Sequence, residues 1–294
     1  TEIGYNSKEM ANFFNTLQRL SGDEGRLPTF LSTHPDPGDR YNNVKSYTQL
    51  VHESKDIKPA DLKINRDKYL RMIDGIIHGE DPRQGYFDNN MFYHPELKFS
   101  FRVPANWNKL NSPQSVQMAP QDGKALMRLT LAPGTDPNTA AQNFAKDNGL
   151  NVIESSTNPV NGLQTVAIMG EIVPQAQQGQ QASPPLSIIA YFYKYQNLIY
   201  QMIGVSAKTD FNTHANTFRT TLNSFKELTD QSKINILPTR IKIVNARRNY
   251  TLQEVLQDYG MLQSKFNELA LLNGMQLTDQ LQSGTLFKVL ESRN

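Results

Sequence analysis

Two side chains in residues 30–40 have the chemistry of a catalytic site, His34 and Arg40. The run reads Phe30-Leu31-Ser32-Thr33-His34-Pro35-Asp36-Pro37-Gly38-Asp39-Arg40, a tight turn that presents a histidine and then opens a helix. Asp36 suits the N-cap and Pro37 the first turn. Asp39 falls at the third helical position, like the acidic member of a capping box. Near neutral pH a histidine can polarise a carbonyl or hydrogen-bond a tetrahedral oxyanion; it can equally be a turn residue bonded to backbone. Arg40 lies where the helix dipole disfavours a cation unless an anion answers it. It could orient a metal-ligating carboxylate through a bidentate pair, or form a surface ion pair worth about 0–1 kcal/mol.

Metal ligands do not accompany these two residues. A zinc hydrolase of the helical type needs two histidines one turn apart and a glutamate after the first. The histidines are His34, His52, His78, His94 and His214, and no two are four apart. Only His52 is followed by glutamate, in His52-Glu53-Ser54-Lys55-Asp56, and Pro59 follows too closely for a long ligand-bearing helix. These read as solvated helix-end residues. The absence of cysteine excludes disulfides and thiolate zinc sites. Thirty basic and 28 acidic residues leave a formal charge of +2, no global field for nucleic acid. No apolar run is long enough to span a membrane. No signal peptide is present, and Thr1 opens directly into sequence of folded character, so the start reads as a processed or truncated end.

The elements that must position these residues fall into three blocks. Residues 1–79 read as helical. Asn6 and Glu9 cap a first helix carrying Met10, Phe13, Phe14, Leu17 and Leu20. A second helix runs from Pro37 to about Glu53 with Val44, Tyr47 and Val51 inward. A third runs from about Arg66 to His78. Residues 80–95 are punctuated by Gly and Pro and read as a linker. Residues 96–230 change character. Strands are expected near 99–103, 115–118, 125–131, 164–173, 186–195 and 198–206, and helices at 137–148 and 211–222. The polar run 175–185 reads as a flexible hairpin tip. Residues 231–294 order as strand, helix capped by Thr251, helix stopped by Asn273-Gly274, strand. The fold class expected is α+β and multidomain: a helical N-terminal remnant, an antiparallel sheet with helices on one face, and a small βααβ module. Trp107 could mark a binding platform or pack in the core. Tyr191, Tyr193 and Tyr195 share one strand face and could stack on sugar or peptide, or form a half-exposed sheet face.

Three resemblances accompany this reading. The Ser32-Thr33-His34-Pro35…Arg40 segment resembles that of zinc metallopeptidases related to the CAAX prenyl protease and heat-shock membrane protease X, where it lies downstream of the zinc ligands. Gly4-Tyr5-Asn6-Ser7 resembles the family's "GYdp" stretch, with Asn-Ser in place of Asp-Pro. The Phe101-Arg102-Val103-Pro104…Trp107 opening and the Phe218…Ser224-Phe225-Lys226 ending resemble the PsbP-like fold. Leu269-Ala270-Leu271-Leu272-Asn273 with Gly284-Thr285-Leu286 resembles a lysin-motif module, with Asn249-Tyr250-Thr251 in place of its "GdT"-like turn. The peptidase resemblance implies the C-terminal portion of a periplasmic or cell-envelope zinc metalloendopeptidase acting on protein or peptide. Zinc would be held by an HExxH helix outside this chain, His34 and Arg40 would complete the site, and the fragment alone would be inactive. The alternative is a non-catalytic envelope protein that binds peptidoglycan through its last module, or a protein partner.

Overall fold

The computed structural model describes residues 3–21, 37–173 and 184–291. They form two compact units, one of residues 3–80 with 238–291 and the other of residues 81–237. Among the described residues the chain is mixed helix and antiparallel sheet, the α+β class expected.

The first unit opens with α1 (Lys8–Ser21) and α2 (Pro37–Ser54), which pack together. Ala11 and Phe14 are buried, whereas Phe13 of the same apolar spacing and Tyr47, expected inward, are exposed. α3 (Arg66–Met72) is shorter than its apolar stripe suggests. Gly75 adopts φ +87°, a left-handed conformation that glycine accommodates readily, and the chain leaves the helix.

The second unit begins with a hairpin, β1 (Tyr86–Asp88) and β2 (Met91–His94), inside the stretch read as an unpatterned linker. The turn signal is Asn89, at φ +52°, where asparagine is better tolerated than most side chains. β3 (Phe99–Arg102) follows. A second sheet takes β4 (Asn108–Ser112), β5 (Ser115–Ala119) and β6 (Ala125–Ala132). Then come α4 (Pro137–Asp147), β7 (Asn151–Ser156), β8 (Thr165–Ile172), β9 (Leu186–Tyr195), β10 (Leu198–Ala207) and α5 (Phe211–Leu222). β11 (Lys226–Glu227) and α6 (Gln231–Ile234) close the unit. Four strands order β1-β2-β3-β11 and seven order β4-β5-β6-β10-β9-β8-β7.

Both faces of the larger sheet are covered, since β9 and β10 are apolar on both sides. Ile188, Ala190, Phe192, Ile199 and Ile203 pack with Ala140 and Ala141 of α4. Tyr193, Tyr200 and Met202 pack with Phe99 and Phe101 of the small sheet and Phe218 and Leu222 of α5. The two helices therefore lie on opposite faces rather than on one. Tyr193 and Tyr195 are buried, not half-exposed, and their hydroxyls donate to Leu222 O and Lys98 O. Burial raises the Tyr193 pKa well above the usual phenol range. Only Tyr191 of the three is half-buried, so among the described residues the three rings do not form one stacking platform.

The first unit resumes with β12 (Arg240–Asn245), β13 (Tyr250–Thr251), α7 (Leu252–Asp258), α8 (Phe266–Asn273), β14 (Gln280–Leu281) and β15 (Leu286–Glu291). β12 pairs antiparallel with β15, and β13 with β14, so the βααβ order is realised. Leu252, Val255, Leu256, Phe266, Leu269, Leu281, Phe287 and Val289 form its core. Thr251 makes a full capping box with Glu254. Gly274, at φ +67°, ends α8 as a left-handed C-cap. The segment after α3 lies along β12: Gly75 N donates to Ile241 O, Ile241 N to Ile76 O, and His78 N to Thr239 O. The helical stretch thus lends an extended edge to the module.

Candidate functional site

His34 lies outside the described residues, so no geometry joins it to Arg40. Arg40, in the first turn of α2, is exposed and places its guanidinium 4.1 Å from the Phe14 ring centroid, a cation–π contact between α1 and α2. His52 and Glu53 border a cleft of about 520 Å3 between the same helices. The His52 Nε2 is buried with no hydrogen-bond partner, while Glu53 accepts from Gln49. Among the described residues no group of three or more His, Cys, Asp or Glu side chains is placed to hold a metal ion. No described helix is long and apolar enough to cross a membrane.

In the first unit a connected set of polar contacts surrounds the end of α8. Asn273 is read from sequence as a helix stop; its side chain is also a clip. Its Nδ2 donates to Leu269 O (2.8 Å) and Lys288 O (2.9 Å), and its Oδ1 accepts from Lys288 N (2.8 Å). The Lys288 ammonium donates to Leu272 O at 2.6 Å, and burial, with Arg66 nearby, lowers its pKa. Arg66 donates to Leu286 O, and Arg19 of α1 donates to Met275 O at 2.9 Å. His78 Nε2 lies 2.8 Å from a Glu268 oxygen; Lys265, then His78, hold that carboxylate below its usual range.

A sugar groove between the Tyr250–Thr251 turn and the Asn273–Met275 loop would have residues 277–281 beside it, and these are bonded by backbone to residues 250–253. Tyr250 pairs with Leu281 and Thr251 with Gln280, while Leu252 N donates to Asp279 O and Gln253 N to Leu277 O. The open concavity is displaced to the side of α8 that faces α1. There a cleft of about 560 Å3 is bordered by Arg19, Asn267, Glu268, Gln276 and Thr278 among others. Its amides, hydroxyl and single carboxylate suit hydroxyl-rich or amide ligands, since each such group meets donors and acceptors. Elsewhere in the module Arg248 stacks over Tyr250 at 4.1 Å and Arg247 over Tyr259 at 4.8 Å.

In the second unit Trp107 packs at the border of the core and also lines a cleft. The two readings of this residue are compatible in one side chain.

No protein-family model and no curated protein sequence matches the chain. Solved structures do. The chain is similar to the cyanobacterial PsbP of Synechocystis, at 13% identity over 48% of this chain and 94% of that one, with a TM-score of 0.35. It is similar to the Ran-binding protein Mog1p of Saccharomyces cerevisiae, at 10% identity over 50% and 99%, TM-score 0.36. It is also similar to LpqN of Mycobacterium tuberculosis, a protein involved in cell envelope biogenesis, at 11% identity over 44% and 82%, TM-score 0.32. Similarity at this level assigns no function.

Proposed function

We propose that this chain is a non-catalytic binding protein of the cell envelope, anchored to peptidoglycan-type glycan by its C-terminal module. The observation that supports this is the βααβ module itself: paired outer strands, two helices on one core, and a polar cleft beside the α8–β14 loop. The envelope location rests on the lysin-motif resemblance of the same residues. The test is a titration of the full chain with chitotetraose, followed by amide NMR, together with sedimentation on insoluble peptidoglycan. Shifts confined to residues 250–253 and 273–278, and co-sedimentation, are expected. Absence of both at millimolar sugar would leave the module a structural or protein-docking cap.

A second reading is the C-terminal portion of a zinc metalloendopeptidase. Its support is the resemblance of residues 32–40, with Arg40 held at the start of α2. In this reading the zinc ligands belong to an HExxH helix outside the described residues, among which no three candidate ligands converge. Mass spectrometry of the source protein tests this reading: a longer precursor carrying HExxH is required, and a native start near Thr1 would rule it out.

A further inference from the structure

We propose that the Trp107 cleft of the second unit binds a saccharide that carries a carboxylate. This site is independent of the module described above and lies in the other unit.

The cleft holds about 620 Å3, within the range of small-molecule sites. It forms because α5 runs past the turn that follows β3. From α5, Asn216, Thr217 and Thr220 share one helical face, at i, i+1 and i+4. Facing residues are Asn90 of the β1–β2 turn, Arg102 at the end of β3, and Trp107. Val103 and Pro104 add apolar lining. The Trp107 ring stands perpendicular to those of His214 (6.0 Å) and Phe218 (6.3 Å), so the core fixes its plane.

The chemistry of the lining selects the ligand. The side chains of Asn90, Asn216, Thr217, Thr220 and Arg102 bond to no protein group among the described residues. Two amides and two hydroxyls offer donors and acceptors together, as sugar hydroxyls require. The indole offers a flat apolar surface for a sugar ring. Among the described residues no carboxylate borders the cleft, and Arg102 is the one charged residue that lines it. A guanidinium with no acidic partner favours a carboxylate on the ligand, held by charge-assisted bonds.

A peptide is the poorer fit. Peptides commonly add to a free strand edge. Here β3 is flanked by β2 and β11. Arg102 N already donates to Ser224 Oγ (2.7 Å) and Val103 N to Asn90 O (2.9 Å). The backbone beside the cleft has no ladder to offer.

Trp107 is the only tryptophan in the chain, so its fluorescence reports on this cleft alone. The full chain is titrated with trigalacturonate, with the neutral sugar chitotriose and with hexaglutamate. A saturable fluorescence change with trigalacturonate is expected. Calorimetry should show Arg102→Gln weakening it by about tenfold or more, the effect of losing a bidentate charged contact. Trp107→Phe, which retains an aromatic ring against the core, should weaken it similarly. Asn216→Ala, at an exposed helical position, should weaken it with no loss of folding. No fluorescence change with trigalacturonate, equal binding of chitotriose with no dependence on Arg102, or preferential binding of hexaglutamate would each overturn the proposal.

Discussion

Removal of the Asn273 side chain tests whether the amide clip holds α8 against β15. Asn273→Ala deletes three hydrogen bonds of 2.8–2.9 Å, to Leu269 O, Lys288 O and Lys288 N. Each such bond contributes a net ~0.5–1.5 kcal/mol, so the sum spans roughly 1.5–4.5 kcal/mol. The site is only partly buried, so water can reach some of the freed groups, which places the expected loss at about 2–3 kcal/mol. With urea slopes of about 1–3 kcal/mol per molar, the midpoint should fall by roughly 0.7–3 M. Urea unfolding followed by circular dichroism reports on both units, whereas the fluorescence of Trp107 reports on residues 81–237. The dichroism transition of the first unit should move and the fluorescence transition should not. Asn273→Asp supplies a control. It keeps the acceptor for Lys288 N but aims a carboxylate at two carbonyl oxygens, so it should recover little of the loss. A cost below about 0.5 kcal/mol for the alanine, or an aspartate variant as stable as the parent, would refute the clip.

Three further outcomes follow from burial and charge. Leu269→Ala, at a fully buried position of the module core, should cost on the order of 2–5 kcal/mol, read from the same dichroism transition. Gly204→Ala would bring a Cβ within 2.6 Å of the Phe218 ring, itself fully buried, and should cost about 1–3 kcal/mol in the fluorescence transition. Burial pushes the His94 pKa below its usual 6.5, partly offset by Glu96, and its Nδ1 accepts from Leu97 N, a bond only the neutral ring makes. The folded chain then binds fewer protons than the unfolded one from about pH 6.5 downward to the folded pKa. Stability of the second unit should fall as pH drops through that window, and His94→Gln should remove that slope; an unchanged slope would contradict the assignment.

Periodicity made the covered elements legible and the uncovered ones not. Phe99, Phe101 and Val103 alternate, and β9 and β10 are long and apolar, so their strands are plain in the sequence. β4 and β7 are sheet edges with mostly exposed residues, Asn108–Ser112 and Asn151–Ser156, and an uncovered edge needs no apolar alternation. The β1–β2 hairpin is three and four residues long, too short for a pattern, and its sequence signal is the Asn89-Asn90 turn. Met72, Ile73, Ile76 and Ile77 fit a helical period, yet the last two belong to an extended edge beside β12. Four apolar residues over six positions do not separate the two, and the contest is settled by bonds to a partner 160 residues away in sequence.

The same reasoning explains why binding surfaces are harder to read than cores. Alternation states that Tyr191, Tyr193 and Tyr195 share a face; it is silent on what covers that face. α5 and the small sheet do, which turns an apparent aromatic platform into core. Trp107 shows the converse. As one tryptophan after Pro104 it carries no periodic signal, and its value comes from neighbours more than a hundred residues away in α5. Asn216, Thr217 and Thr220 are ordinary polar positions of an amphipathic helix by sequence, where exposed polar residues are the common case. Only the approach of Asn90, Arg102 and Trp107 makes that polar face one wall of a cleft. A site assembled from three sequence-distant segments has its chemistry written in the residue types but its meaning in the topology, so it becomes visible when β3 and α5 are seen to converge.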